Sequence, residues 1–327
     1  MSDNDMTSMM RAVTQQTFGG ADVLELQTVL RPVPLPTEVQ VRVRAAGVNP
    51  VDWKTREGTG MAGVLGEPPF VLGWDVAGVV EQVGFGVTVL KPGGEVYGMP
   101  WFPRAAGAYA EYVTAPSRQF ARKPLSASFE QAAAVPLAAL TAWQALVDTA
   151  RVRHGQRVLI TAAAGGVGHF AVQFAKHLGA HVIGTASARN HDWLTKLGAD
   201  ELIDYTQVRF EEELGEIDVV VDLVGDAHDA SGLRSLRVLR RDGLLVAVPG
   251  GVSPQVQAAA DELGVRATPM LVEPDAAALG RIAQLIDGGE VHVEVAEVFP
   301  LERVAEAHTR GESGHGRGKI VLRVDTA

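Results

Sequence analysis

The means to do chemistry are concentrated in the stretch Ala163-Ala164-Gly165-Gly166-Val167-Gly168. It is an A-x-G-x-x-G variant of the glycine-rich turn that holds dinucleotide phosphates. Gly165 lets the backbone approach a pyrophosphate, and Gly168 lets a following helix pack closely on the preceding strand. A helix starting at such a turn offers unpaired N–H groups and a partial positive charge to an anion. Ala164, Gly165, Gly166, Val167 and Gly168 are therefore the candidate phosphate contacts. Without a ligand the same residues would be only a tight strand-to-helix turn, so the surroundings decide.

Those surroundings fit a nucleotide site. Val158-Leu159-Ile160 is a short apolar run, as expected of a strand buried on both faces. Val167, Ala171, Phe174 and Leu178 mark one face of a helix, and Gly179 closes it. His181-Val182-Ile183-Gly184 is the next strand. About 20 residues past the glycines, an NAD-specific site carries an acid for the ribose hydroxyls. Here that position reads Thr185-Ala-Ser-Ala-Arg189-Asn190, with no carboxylate before Asp192. The Ser187 hydroxyl and the Arg189 cation suit a 2′-phosphate instead, so NADP(H) is the expected cofactor. An exposed arginine at a helix start is the ordinary alternative for Arg189; the missing acid is the stronger half of the argument.

After Gly155, strand and helix patterns alternate. RVLIT, HVIGT, ELIDY, DVVVDLVG, GLLVAVPG and VRATPML read as strands, with helices over 167–178, 190–197, 208–214, 228–239 and 254–263. This predicts an α/β, doubly wound parallel sheet of the Rossmann type with right-handed crossovers. The preceding part is β-rich, with strands at RAVTQQTF, VLELQTVL, VQVRVRAAGV, Val76–Val83, Glu95–Tyr97 and Ala108–Thr114. The proline-rich Arg31–Pro36 connects two of them. Ser128 and Gln131 form a capping box opening an alanine-rich helical stretch that Pro136 interrupts. Beyond Val291 come a strand over 292–296, a short helix over 301–310 and a strand over 319–324. The expected division is a disordered tail over 1–9, a β-rich domain from 10–127 and 291–327, and a nucleotide-binding domain over 128–290. The glycine-rich segment 311–318 is either a mobile loop or a ligand-binding turn.

Composition excludes several classes. Among 327 residues, 29 Lys+Arg stand against 39 Asp+Glu, a net charge of −10 with no dense basic run. Neither nucleic acid nor an anionic membrane is an expected partner. The absence of cysteine removes disulfides, thiolate nucleophiles and cysteine zinc sites. MSDNDMTSMMRAV lacks the apolar core of a signal peptide, and no apolar run reaches the ~18–20 residues of a membrane span. A soluble, cytoplasmic protein is expected. His169, His177, His181, His228, His308 and the others show no His-x-x-x-His pairing with a carboxylate nearby in the sequence, so they read as surface or helix-face residues and no metal site is expected.

Several stretches together resemble the medium-chain dehydrogenase/reductases of the zinc-free, ζ-crystallin-like quinone oxidoreductase branch. They are Ala46-Gly-Val-Asn-Pro-Val-Asp52, Leu72-Gly-Trp-Asp-Val-Ala-Gly-Val-Val80, Gly107-Ala-Tyr-Ala-Glu-Tyr112, Leu140-Thr-Ala-Trp143, the turn at 163–168, Leu197–Tyr205 and Gly318-Lys-Ile-Val321. The resemblance covers nearly the whole chain. It implies a GroES-like catalytic domain, a Rossmann domain inserted before the C-terminal return, and a substrate cleft between them. It also implies a homodimer formed through the Rossmann sheet edge near Val265–Leu271. Zinc-dependent relatives carry Cys where this chain has Asn49, and Gly-His-Glu where it has Gly73-Trp74-Asp75. Two ligand positions therefore cannot hold a catalytic zinc in the usual way. By family position, Asn49, Thr141, Gly166, Val167, Leu223-Val224-Gly225, Val248-Pro-Gly250, Arg317 and Lys319 are further cofactor contacts, and Tyr205 borders the 2′-phosphate. A plain helix position suits Thr141 nearly as well.

If a nicotinamide supplies hydride, the protein must stabilise the oxyanion that develops on the acceptor. Asn49, Asp52 and Tyr109 are the candidate catalytic residues, with Arg104 a further polar candidate; Asp52 also reads as a turn cap. Trp53, Met61, Trp101 and Phe102 form either an apolar slot for a flat substrate or core packing. Conjugation spreads charge in a quinone or an α,β-unsaturated carbonyl, so these need less electrophilic help than a simple ketone. The resulting expectation is an NADPH-dependent, zinc-independent reductase of quinones or enones. The alternatives are a zinc-type alcohol dehydrogenase, disfavoured by the lost ligands, and an NADPH-binding structural or regulatory protein in which Trp74 and Trp101 fill the substrate space.

Overall fold

A computed structural model describes residues 8–226, 229–314 and 316–324. Most of the expected tail, together with His228 and His315, lies outside the described residues. The chain begins with β1 (Met9–Gln15), β2 (Leu24–Leu30) and β3 (Glu38–Val48), followed by α1 (Pro50–Arg56) and α2 (Ala62–Leu65). Strands β4 (Phe70–Val71), β5 (Asp75–Val83), β6 (Glu95–Gly98), β7 (Tyr112–Pro116) and β8 (Phe120–Arg122) follow. Two helices, α3 (Phe129–Ala133) and α4 (Pro136–Trp143), are separated where Pro136 cannot continue the first and instead starts the second. The Ser128–Gln131 capping box is present.

An alternating series comes next: β9 (Arg157–Ile160), α5 (Gly168–His177), β10 (His181–Thr185), α6 (His191–Leu197), β11 (Glu201–Ile203), α7 (Phe210–Glu213), β12 (Ile217–Asp222), α8 (Ser231–Val238), β13 (Leu239–Ala247), α9 (Pro254–Leu263) and β14 (Arg266–Pro269). After α10 (Ala276–Asp287), the chain ends with β15 (Val295–Pro300), α11 (Val304–Glu312) and β16 (Lys319–Arg323). No helix among the described residues is long and apolar enough to cross a membrane.

The chain divides into two compact units, one of Met1–Leu140, Glu273–Gly289 and Val293–Ala327, the other of Thr141–Val272 with Glu290–His292. In the first, the sheet order is β15-β16-β3-β5-β6-β8, with β7 also paired to β3; β2-β1-β4 form a small separate sheet. The alternation in β3 puts Val39, Val41 and Val43 into a core with Val76, Val80, Val96 and Val113. This is the GroES-like β unit. The second unit holds the parallel sheet β11-β10-β9-β12-β13-β14, the expected Rossmann arrangement. Its strands Val158–Ile160 and Val219–Val221 are buried on both faces, which is why they read as unbroken apolar runs.

Some elements differ from expectation. Helix α10 was not anticipated, and it groups with the first unit, as do residues 128–140. The Tyr97 hydroxyl donates to Leu279 O at 2.6 Å, and Asp287 accepts from Ser126 N–H at 2.9 Å. Leu137 N–H donates to buried Asp75 at 2.7 Å. Those bonds hold both segments to the β unit. Strand β7 starts at Tyr112 rather than Ala108, because Ala108 and Tyr109 spend their N–H groups on Gly73 and Leu72 carbonyls. Helix α11 runs into the segment read as a glycine-rich loop.

Candidate functional site

In the second unit, chain order reverses between β9 and β12, and open α/β sheets bind ligands at the carboxyl ends of strands at such a point. Two strand ends are tied together there. The Thr161 hydroxyl donates to Asp222 Oδ1 at 2.8 Å and accepts Leu223 N–H at 2.8 Å. Asp222 also takes the Ser231 hydroxyl and the Val224 and Gly225 N–H groups, which folds the Leu223-Val224-Gly225 turn back on the strand. Val248 N–H donates to Asp222 O, while Gly225 and Gly250 have positive φ. A Cβ on Gly225 would lie 2.7 Å from Pro249 O, so glycine is required where the two turns meet.

The glycine turn itself begins at Ala162, in the left-handed region at φ 49°. Thr185 holds it, accepting Ala162 N–H on its hydroxyl and Ala163 N–H on its carbonyl. A Cβ on Gly168 would sit 2.3 Å from Ala162 O, which makes the close approach of α5 to the turn depend on glycine. Among the described residues, the N–H groups of Ala164, Gly166 and Val167 show no hydrogen-bond partner. Donors left over at a helix N-terminus are what an anionic phosphate requires, so the residues present fit a dinucleotide.

Ser187 lies just beyond β10 and accepts from Asn190 Nδ2 at 3.3 Å, while Arg189 and Tyr205 are exposed. The acid that sequence reading missed is Asp204. Its carboxylate accepts the Thr206 N–H and hydroxyl, and these bonds hold its pKa below the usual range. It also accepts the Ala188 N–H, which sets this acid against the segment that carries Ser187 and Arg189. Thr141 is buried in α4 at 2% exposure. Arg317 pairs with Glu294.

The first unit gathers Asn49, Asp52, Tyr109 and Lys319 into one buried polar network. Lys319, at 3% exposure, donates to Val48 O at 2.8 Å and to Asn49 Oδ1, and lies 3.7 Å from Asp75. Asn49 Nδ2 donates to Asp75 Oδ2 at 2.9 Å. Asn49 N–H donates to Asp52 Oδ2 at 2.6 Å, the capping role that the spacing allowed for Asp52. Tyr109 O–H donates to the same oxygen at 2.9 Å. Behind Tyr109 stands His308, with Nε2 3.2 Å from the Tyr109 hydroxyl and Nδ1 3.3 Å from Arg56 Nη1. Arginine only donates, so Nδ1 accepts and Nε2–H donates; the chain runs Arg56, His308, Tyr109, Asp52 in one direction. Arg56 in turn pairs with Glu57 and Glu312.

Burial dominates the electrostatics. It raises Asp52 to about 7, against the lowering effect of the Asn49 and Tyr109 bonds. Burial also raises Asp75 and lowers Lys319, while their mutual attraction opposes both shifts. Tyr109 is raised well above its ordinary value by burial and by Asp52. His308 is lowered to about 3 by burial and by the Arg56 cation. It is therefore a neutral core residue on the buried face of α11, which corrects the surface half of its reading and keeps the helix-face half. His169 is likewise fully buried. Asp52 and Tyr109 have no exposed surface, and Asn49 is 1% exposed; Asp52 holds the Asn49 N–H and Tyr109 holds Asp52.

The aromatic candidates are engaged in packing. Trp53 meets His308 edge-on at 6.3 Å, and Phe102 meets Trp74 edge-on at 5.4 Å. Trp101, at φ 60°, is held by bonds from its N–H to Gln119 and from Nε1 to Thr114 O. Trp74 is 1% exposed and donates to Arg104 O, leaving the Arg104 side chain exposed. Sequence reasoning missed Arg56, Asp75 and His308. The motif around Asp75 was visible, but burial of Arg56 and His308 depends on partners far along the chain.

A GroES-like β unit and a parallel nucleotide-binding sheet with a glycine turn at its switch point define an oxidoreductase of the dehydrogenase/reductase class. The model of the alcohol dehydrogenase GroES-like domain matches residues 35–125, and that of the zinc-binding dehydrogenase matches residues 197–322. An NADPH-dependent alkenal/one oxidoreductase of Arabidopsis thaliana is 35% identical over 98% of this chain and 81% of its own. A 2-methylene-furan-3-one reductase of Solanum lycopersicum is 35% identical over 96% and 79%. The solved quinone oxidoreductase of Coxiella burnetii is 36% identical, covers 97% of this chain and 100% of its own, and superposes with a TM-score of 0.90. The chain belongs to the medium-chain dehydrogenase/reductase family, in its quinone oxidoreductase branch.

Proposed function

We propose that this protein reduces quinones or α,β-unsaturated carbonyls with NADPH and without zinc. The observation that carries the reading is the commitment of the residues at the zinc-ligand positions. Asn49 is bonded at both ends of its amide, Trp74 packs on Phe102 and donates to Arg104 O, and Asp75 holds Leu137 N–H and Asn49. The names of the Arabidopsis, tomato and Coxiella relatives support the substrate class, and the first of them supports NADPH.

NADPH, when bound, supplies the hydride. The N–H groups of Ala164, Gly166 and Val167 would hold its pyrophosphate at the start of α5, with Leu223, Val224, Val248 and Gly250 at the neighbouring strand ends. Ser187, Arg189 and Tyr205 would take the 2′-phosphate, the guanidinium by charge-assisted bonds. Asn49 would steady negative charge on the acceptor oxygen through an amide N–H. Asp52 fixes the Asn49 backbone, and Tyr109 fixes Asp52. Trp53 and Arg317 remain candidates for substrate and cofactor contacts. A cytoplasmic homodimer is part of the same reading. The test is NADPH oxidation with ortho-quinones and enones, with NADH as the comparison. Turnover with either class supports the proposal; tight NADPH binding with no turnover of either overturns it.

A further inference from the structure

Lys319 stood in the sequence as a cofactor contact; its ammonium is buried in the β unit, where it meets three oxygen atoms of the chain. They come from two places in the chain, the adjacent Val48 O and Asn49 Oδ1 and the more distant Asp75 Oδ2. An amide can ordinarily be turned over without a visible penalty. At Asn49 it cannot. An ammonium has only donors and must face Oδ1, and a carboxylate has only acceptors and must face Nδ2. Asp75 is itself fixed by Leu137 N–H on its other oxygen. Nδ2 carries two hydrogens, and Asp75 takes one. The ammonium on Oδ1 draws electron density toward that oxygen, which makes the remaining N–H a stronger donor.

We propose that Lys319 is a positioning residue: with Asp75 it locks the Asn49 amide so that one strengthened N–H is presented to the oxygen gaining charge during reduction. This rests on the reading of Asn49 given above. It replaces a cofactor contact with an action through Asn49, and the two roles give different measurements.

The sequence contains three asparagines, Asn4, Asn49 and Asn190, so protein labelled with 15N at asparagine gives three side-chain amide signals, and Asn49→Ala identifies one of them. Lys319→Met is expected to shift the Asn49 signal and leave the other two in place, with no substrate present. In turnover, Lys319→Met is expected to lower kcat by at least about tenfold, with the NADPH dissociation constant changed less than threefold. Asn49→Ala is expected to lower kcat on the order of 10²-fold, the loss typical of one oxyanion donor. Lys319→Met with Asn49→Ala should be no worse than Asn49→Ala alone, because one residue acts through the other. Lys319→Met leaves Asp75 buried without its counter-charge, so Lys319→Met/Asp75→Asn serves as the variant that folds if the single one does not; the same losses are expected of it. An unmoved Asn49 signal, additive losses, or weaker NADPH binding at unchanged kcat overturns the assignment. Wild-type turnover by Asn49→Ala overturns both it and the oxyanion reading; impaired Asn49→Ala with unimpaired Lys319→Met overturns the Lys319 role alone.

Discussion

Asp52 and His308 flank Tyr109 in one hydrogen-bonded chain, and burial shifts them in directions with opposite consequences for stability. Asp52 rises from 3.8 to about 7, so the folded state holds this proton more tightly and stability from this group falls as pH climbs between those values. His308 drops from 6.5 to about 3, so the unfolded state binds the proton first and stability rises with pH across that window. Between roughly pH 4 and 6.5 the two slopes oppose each other, each worth up to about 1.4 kcal/mol per pH unit. Urea unfolding between pH 4.5 and 6.5 should show Asp52→Asn gaining stability with rising pH relative to the native protein, and His308→Gln losing it. Parallel profiles for all three would exclude the opposition. At the cofactor end, Arg189→Ala should weaken NADPH roughly tenfold while leaving NADH unchanged, as loss of a charge-assisted bond to the 2′-phosphate requires; equal effects on both would remove that contact. The candidate Asn49 was legible because its neighbours form a recognisable motif. Its partners were less so, since His308 lies 252 positions from Arg56 and nothing local marks either as buried.

Elements were read best where neighbours along the chain decide them. β9, α5 and β10 follow from a doubly buried strand, a helical face and a closing glycine, and Gly179 does take positive φ. Helix α10 carries Leu279, Ile282 and Ile286 at helical spacing with Asp275 capping Ala277 and Ala278, so its signal was present. Its attachment to the β unit was not, because that depends on Tyr97 and Ser126 far upstream. Two glycines test how backbone approach and helix propensity differ. Gly168→Ala must push a methyl against Ala162 O at 2.3 Å, a backbone atom with little room to retreat. A loss of about 1–3 kcal/mol is expected, along with weaker NADPH binding. Gly280→Ala, inside α10 with nothing within 4 Å of the new methyl, should gain about 0.5–1 kcal/mol. Denaturant midpoints of the two variants check both signs, and a stabilised Gly168→Ala would contradict the close approach.

For the whole molecule, the parallel sheet ends at β14, which pairs with β13 alone, and Leu271 beyond it is 56% exposed. If that edge joins two copies, light scattering should give twice the 34.6 kDa chain mass, and Leu271→Lys should reduce it to one. A native monomer would remove the dimer from the proposal. The network in the first unit joins residues that are made at very different times. Asn49 and Asp75 leave the ribosome early, but the lysine that balances them and the strand that covers Ala45–Val48 come about 270 positions later. At about 5–20 residues per second, that is a wait of roughly 15–50 s. During it the second unit, whose sheet is complete by Pro269, has every strand it needs. The nascent β unit meanwhile carries an unpaired backbone edge and a carboxylate that cannot yet be buried against its cation. Translation therefore imposes an order, inserted unit first and the buried Asn49–Asp75–Lys319 network last, and a chain interrupted before Lys319 would leave the β3 edge over Ala45–Val48 uncovered and open to capture by chaperones.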